Sequence, residues 1–264
     1  MATNDTYSHV FVFHSAQFTF ANVFSNTINK IGMDMIDSNA GWNNRLSKVW
    51  EDHSEATKEL RSPAYQSSLK KNAILFVGMN PSFSLARLTT LLKEKEIDDD
   101  PESYFSWDNR HIYNRTLSLD FNSYTKNKYS YFKPMREFAV NLGLEWDHAD
   151  SFFIRETNQS KVKSLVLEKN DPKRLSGFGK VQYELAIELI VKSVPKAIIV
   201  TNALASHIWK NRFKLNLIDQ GTGTYNSTIN GTDVPTFLSG MLTGQRALDV
   251  HSRERLFWHV KRLI

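Results

Sequence analysis

The sequence predicts an α/β fold, a three-layer α/β/α sandwich around a central four-stranded parallel sheet. Three observations carry that prediction. Four short β-rich apolar runs are spread along the chain, amphipathic helical patterns lie between them, and 264 residues with 41% hydrophobic content suffice for one large packed body. The runs are Ala73-Ile74-Leu75-Phe76-Val77, Ser151-Phe152-Phe153-Ile154, Ala197-Ile198-Ile199-Val200 and Val234-Pro235-Thr236-Phe237-Leu238. They are continuous rather than alternating, as in strands covered on both faces.

The helical patterns follow in order. Residues 1–70 precede the first strand and read as a mostly helical extension from about Val23 onward, packed on the domain that spans 71–264. Pro134 opens a helix that runs to Leu142, with Gly143 at its end. Val181 to Val194 puts Leu185, Ile187, Leu189, Ile190 and Val194 on one broad face before Pro195 stops it. The last helix, from about His251 to Ile264, gathers Leu256, Phe257, Val260, Leu263 and Ile264 on one side. Between strand one and the Pro134 helix lies an insertion at 93–132, acidic through Asp98-Asp99-Asp100 and then rich in Tyr, Phe and Trp, including Tyr113 and Tyr131. It is placed over the carboxyl end of strand one, where open α/β sheets bind ligands.

Composition excludes several functions. With no cysteine there is no disulfide scaffold, thiolate zinc site, thiol nucleophile or cysteine-held iron–sulfur cluster. Only 11 Gly and 7 Pro argue against linker-like sequence. No apolar run approaches the ~20 residues of a membrane helix. The apolar stretch His9-Val10-Phe11-Val12-Phe13-His14 lacks a basic flank and does not read as a signal peptide, so a cytoplasmic location is expected. The net charge of +5 divides into −3 over residues 1–150 and +8 over 151–264. The basic half holds Lys161, Lys163, Lys169, Lys173, Arg174 and Lys180, then Arg246, Arg253, Arg255, Lys261 and Arg262. One-sided positive charge suits a polyphosphate partner, and equally suits a solvated lysine-rich surface.

Strand one runs directly into Gly78-Met79-Asn80-Pro81-Ser82-Phe83-Ser84. Gly78 permits close backbone approach, Pro81 fixes the turn, and Ser82 or Ser84 can cap the next helix. Ile74 to Ser82 resembles the first motif of the uracil-DNA glycosylase superfamily, in the Gly-Met-Asn-Pro and Gly-Ile-Asn-Pro forms of its single-strand-selective and mismatch-specific branches. The resemblance covers roughly residues 70–264 and implies a uracil-DNA glycosylase-like fold.

It also implies that Asn80 positions the water that attacks the sugar C1′, with Gly78, Met79, Pro81 and Ser82 shaping the pocket. The family carries a base-reading Asn at the end of its second strand. Asn158 is the matching candidate, in Arg155-Glu156-Thr157-Asn158-Gln159, with Glu156 and Thr157 as alternatives. An amide suits this task because it donates and accepts along a pyrimidine edge. For the ring that stacks on the base, Phe105 is the first candidate and Phe83 the second.

The closing motif departs from the family. Where a His-Pro-Ser-type loop is expected, this chain has Ser239-Gly240-Met241-Leu242-Thr243-Gly244-Gln245-Arg246. Met241 and Leu242 fit a wedge into the duplex, and Gly240 through Arg246 a DNA-binding turn. Ser239 takes the place of the histidine that stabilises the departing base; Thr243 and Gln245 could also donate a hydrogen bond.

The function implied is a monofunctional hydrolase of the N-glycosidic bond of uracil or another deaminated base, in base excision repair. It would need no metal or cofactor. The partner expected is uracil-containing or damaged DNA and not a membrane; oligomeric state is open, with a monomer favoured. The alternatives are a catalytically weak binder of damaged DNA or of a nucleobase on the same fold, and a nucleoside or nucleotide hydrolase.

Overall fold

Strand β1 (Ile74–Gly78), second from one edge of the sheet, is buried at every position because strands flank it on both edges and helices cover both its faces. The computed structural model describes residues 39–107 and 115–264. Helices α1 (Asn39–Asp52) and α2 (Ser54–Thr57) come before β1, and α3 (Leu85–Glu94) and α4 (Arg115–Lys128) after it. A 3₁₀ turn at Ser130–Phe132 leads into α5 (Lys133–Leu142), β2 (Trp146–Asp150), α6 (Gln159–Val166), α7 (Gly177–Ser193), β3 (Ala197–Thr201) and α8 (Ala203–Arg212). Strands β4 (Leu215–Asp219), β5 (Thr224–Ile229) and β6 (Thr232–Ser239) follow, and α9 (Val250–Leu263) closes the chain.

Among the described residues the sheet has six strands and is mixed, which corrects the expectation of four parallel strands. Its order is β2-β1-β3-β6-β5-β4; β2, β1, β3 and β6 pair in parallel, while β6-β5 and β5-β4 are antiparallel. The two added strands escape a search for continuous apolar runs because β4 is an edge strand with three exposed residues and β5 is rich in Thr, Ser and Asn. The local sequence does carry a sign of them. Asn230 and Gly231 both have positive φ, 49° and 78°, as a two-residue β-hairpin turn requires.

Strand two is also corrected. It spans Trp146–Asp150, ahead of the apolar run at Ser151–Ile154. The strand is polar, yet Asp147, His148 and Asp150 are buried. The apolar run continues as extended chain beside the loop that leaves β1, where Ser151 N donates to Gly78 O (3.0 Å) and Phe152 N to Met79 O (3.0 Å).

Side chains alternate across β1. Leu75 and Val77 enter one core with Trp42 and Leu46 of α1, Leu185 and Leu189 of α7, and Ile208 and Trp209 of α8. Ile74 and Phe76 enter the other with Met135 and Phe138 of α5, Phe237 of β6 and Val260 of α9. Residues 39–70 belong to the first core. Trp42 Nε1 donates to Leu185 O (3.2 Å), Arg45 pairs with Glu188 (2.6 Å), and Ala64 N donates to Phe153 O (2.9 Å).

Within the insertion, Tyr104, Phe105, Leu117 and Phe121 pack with Leu88, Leu91 and Leu92 of α3 in a third cluster. In α9, Leu263 and Ile264 are exposed rather than on the buried side, since the helix outruns the core beyond Val260. The run His9–His14, the stretch from Val23 to residue 38, and Tyr113 lie outside the described residues. No helix among the described residues is long and apolar enough to cross a membrane.

The close packing gives one direct stability prediction. Ser176 caps α7 by accepting from Gly179 N (3.0 Å), and a Cβ on Gly179 would lie 2.3 Å from the Val166 carbonyl oxygen. Backbone cannot move aside as a side-chain tip can. Gly179→Ala is expected to cost about 2–3 kcal/mol in urea unfolding, with an unchanged m value.

Candidate active site

The loop that leaves β1 and the segment that leaves β2 hold each other through Asn80. Its Nδ2 donates to Glu156 O (2.7 Å), Ile154 O (3.1 Å) and Pro81 O (3.2 Å), while Gln159 Nε2 donates to its Oδ1 (2.9 Å). Glu156 N donates back to Pro81 O (3.1 Å). The amide is therefore immobilised in a half-buried position at the carboxyl rim of the sheet. An amide oxygen accepts two hydrogen bonds, so the Gln159 contact leaves capacity for a water.

A row of small and polar residues crosses the same rim. Register places Gly78 opposite Asp150 and Thr201 opposite Ser239, while Val77 opposite Val200 aligns Gly78 with Thr201. Alternation puts these residues on the face shared by Phe76, His148, Ile199 and Phe237. Four neighbouring strands make a row about 14 Å long at ~4.8 Å per step. Asp150 fills the space that a side chain at 78 would take, since a Cβ there would lie 2.2 Å from Asp150 Oδ1 and 3.0 Å from His148 Nε2. His148 Nε2 is 3.8 Å from Asp150 Oδ1 and has no hydrogen-bond partner although its side chain is buried. Tyr131, from the insertion, lies beside Thr201 and Asp150.

Burial sets the charge state of this group. It pushes the Asp150 carboxyl up to about 7, against the opposing pull of Lys126 and Arg155. It pushes His148 down to about 3, with Lys126 adding to the effect and Asp147 opposing it. Tyr131 is raised to about 12, first by burial and then by Asp150, with Thr201 opposing. Burial would raise Asp147 as well, but Lys126 at 2.7 Å and the backbone N–H groups of Lys70 and His148 hold it below its ordinary value. The rim thus holds a neutral imidazole and a carboxyl poised between its two forms.

Several sequence candidates stand elsewhere. Asn158 is the N-cap of α6; its Oδ1 accepts from Ser160 N (3.0 Å) and Lys161 N (3.3 Å), and the residue is exposed. The residue at the end of strand two is Asp150, which the displaced strand assignment concealed. Phe105 is fully buried, and the Arg155 guanidinium lies 4.7 Å from its ring centre. Phe83 carries the Arg61 guanidinium 3.8 Å above its ring. Neither phenylalanine offers a free face to a base on that side. Met79 is buried in the first core, while Ser82 is exposed and Ser84 is the residue before α3.

The closing loop is folded on itself. Leu248 N donates to Met241 O (2.8 Å), and Gly244 turns the chain with φ 89°. Leu242 is only 2% exposed and packs with Ile74, Phe76 and Val260, so it is a core residue and not a wedge. Met241 and Thr243 are half-buried, and Gly244, Gln245 and Arg246 form the exposed tip.

Beside the Ser239 end of the row opens a cleft of about 460 Å³ between α8, the end of β6 and α9. Its lining includes Ser206, His207, Gly240, Ser252, Arg255 and His259, and no acidic side chain. Ser206 Oγ donates to Ser239 O (2.9 Å) and so ties the cleft wall to the closing loop. Trp258, 71% exposed, is on the same helix as Arg255 and His259. Composition and charge reveal the basic half but not that Arg255 comes to the Ser239 end of the row. Among the described residues, no three His, Asp or Glu side chains gather as a metal site. Comparison of the chain with protein-family models and with curated proteins finds no match.

Proposed function

We propose that this protein is a DNA glycosylase that hydrolyses the N-glycosidic bond of uracil or another deaminated base, on a uracil-DNA glycosylase-like fold. The observation that carries this reading is Asn80, immobilised by its neighbours at the carboxyl end of β1, next to the row of Asp150, Gly78, Thr201 and Ser239. The first-motif resemblance implies a water-orienting amide at that position.

Chemically, Asn80 Oδ1 accepts a hydrogen bond from water and aims a water lone pair at C1′. The water oxygen bonds to C1′ as the C1′–N bond breaks. The electron pair of that bond leaves with the base, which takes up the proton the water gives up. A rigid amide contributes by holding the water in place before the reaction begins. The basic cleft beside Ser239 provides a seat for strand phosphates, and the exposed tip at Gly244, Gln245 and Arg246 meets the strand next to it.

The deciding experiment uses the protein in excess over oligonucleotides carrying uracil, hypoxanthine or xanthine, with alkali used to reveal abasic sites. Strand breaks at the modified position are expected for at least one base. None for any of the three, in single- or double-stranded form, overturns the proposal. Ser239 in place of the family's histidine favours a second reading, a binder of damaged DNA that releases no base. Tight binding of a uracil-containing strand without release, unaffected by Asn80→Ala, would establish that reading instead.

The cleft gives a separate expectation. Arg255→Ala should weaken DNA binding to a similar degree for all sequences and reduce the salt slope of log K by about 1. Fluorescence anisotropy over a salt series measures both. An unchanged slope would place the strand elsewhere.

A further inference from the structure

We infer that the outer face of α9 is a docking surface for an unpaired nucleic-acid strand, with Trp258 stacking one base and Arg255, at the cleft, holding a neighbouring phosphate. This subsite lies outside the three motifs that carry the family resemblance. It takes bases of any identity and stands whether or not the protein releases one.

Exposure supports it first. Of the six tryptophans, Trp42, Trp50, Trp107 and Trp209 are buried in the first core, and Trp146 is half-buried against Phe76 and Phe132. Trp258 projects into solvent, and its indole makes no ring contact or hydrogen bond among the described residues. Packing does not require it there, because α9 is anchored from its other side by Leu256, Phe257 and Val260. Tryptophan is highly buried on average, so an open indole marks a surface with something to cover it.

Charge identifies the occupant. Arg255, Lys261 and Arg262 stand three or four residues from Trp258 and share its face of the helix. Glu254, the one acidic residue of α9, faces His251 (3.5 Å), and Arg262 pairs with Asp219 (3.4 Å). Arg255 and Lys261 make no ion pair among the described residues. Asp249, whose carboxylate interacts with Arg255, is already held by Ser252 N (2.9 Å) and Ser252 Oγ (2.6 Å). In the cleft, the hydroxyls of Ser206 and Thr222 donate to Ser239 O (2.9 Å) and Asp219 (2.8 Å), which leaves Arg255, His207 and His259 to face an anion. Free cations around an open indole complement a partner that alternates anions with flat rings. A single strand does so, with an unpaired base beside every phosphate. A duplex hides its base faces, and an acidic peptide brings charge without them.

The experiment titrates the wild type, Trp258→Phe, Trp258→Ala and Arg255→Ala with oligothymidylate, which carries no deaminated base. It follows tryptophan emission and the anisotropy of a labelled strand. Wild-type emission should change as the strand binds. Trp258→Ala should weaken binding about 5- to 100-fold with an unchanged salt slope. Trp258→Phe keeps a ring and should bind within about fivefold of the wild type, without the emission change. Arg255→Ala should lose about one unit of salt slope and keep the emission change. Polyglutamate and duplex DNA should leave the emission unchanged even where they bind.

Oligothymidylate binding with unchanged wild-type emission, an equal response to polyglutamate or duplex, or wild-type affinity in Trp258→Ala overturns this inference and leaves the glycosylase reading standing. Emission that changes with protein concentration alone puts a second copy on this face and overturns it as well. Uracil release assayed in parallel separates the two readings: Trp258-dependent binding without release supports the subsite and counts against the glycosylase.

Discussion

Asn80→Ala is expected to lower single-turnover base release by about 10²–10³-fold, the scale on which loss of one preorganised polar group is felt. Truncation also removes the donor that serves the carbonyls of Pro81, Ile154 and Glu156. Leaving such acceptors partly unsatisfied should cost about 1–3 kcal/mol in urea unfolding. The two effects separate with Asn80→Asp. That variant keeps an oxygen for the water, but its ionised carboxylate faces three carbonyl oxygens with no hydrogen to give. It should therefore be less stable than Asn80→Ala and also unable to release base. A variant with normal stability and normal activity would remove Asn80 from the mechanism.

Gly78→Ala is expected to have the second large effect, and for a different reason. The added methyl would sit 2.2 Å from Asp150 Oδ1 and 3.0 Å from His148 Nε2. Real Cβ atoms do not approach so closely, so the carboxyl must swing out of the row. Overpacking of this kind costs about 1–3 kcal/mol, here compounded by disturbance of a buried acid. Base release should fall with it, because Gly78 leads directly into the loop that holds Asn80.

Adding Asp150→Ala to Gly78→Ala removes the clash. The double variant should recover part of the lost stability. A double-mutant cycle gives the coupling, and purely additive losses would show that the two residues do not meet.

The sequence carried clear signs of some of this arrangement. The runs at residues 73–77, 197–200 and 234–238 are strands because continuous β-branched and aromatic residues need cover on both faces, and helices on both sides provide it. Gly143 ends α5 in the left-handed conformation that glycine tolerates best, and α7 stops before Pro195. The turn at Gly78 to Ser82 was legible as a tight, polar exit from a strand. Its link to the 154–159 segment was not, because nothing local relates Asn80 to carbonyls more than seventy positions away.

The errors share a physical cause. Strand two is written in Asp and His, which read as loop, and its neighbour Ser151–Ile154 reads as strand; only pairing with β1 decides between them. Phe105, Phe83 and Leu242 are apolar residues near the site in sequence, and apolar side chains go where the core or an arginine can cover them. Asn158 is a good N-cap wherever a helix begins, so its local role took precedence over the rim.

By itself, then, the sequence determined the α/β class, three of the parallel strands, the polar turn at Asn80 and the positive second half. These follow from periodicity, turn chemistry and charge, which act over a few residues. Only the tertiary structure decided that Asp150, Gly78, Thr201 and Ser239 form one row, that His148 stands unpartnered beside them, and that Arg255 and His259 border the same rim. Those placements arise from strand register and burial, which join positions far apart in the chain and give a carboxyl or an imidazole properties that its local sequence does not contain.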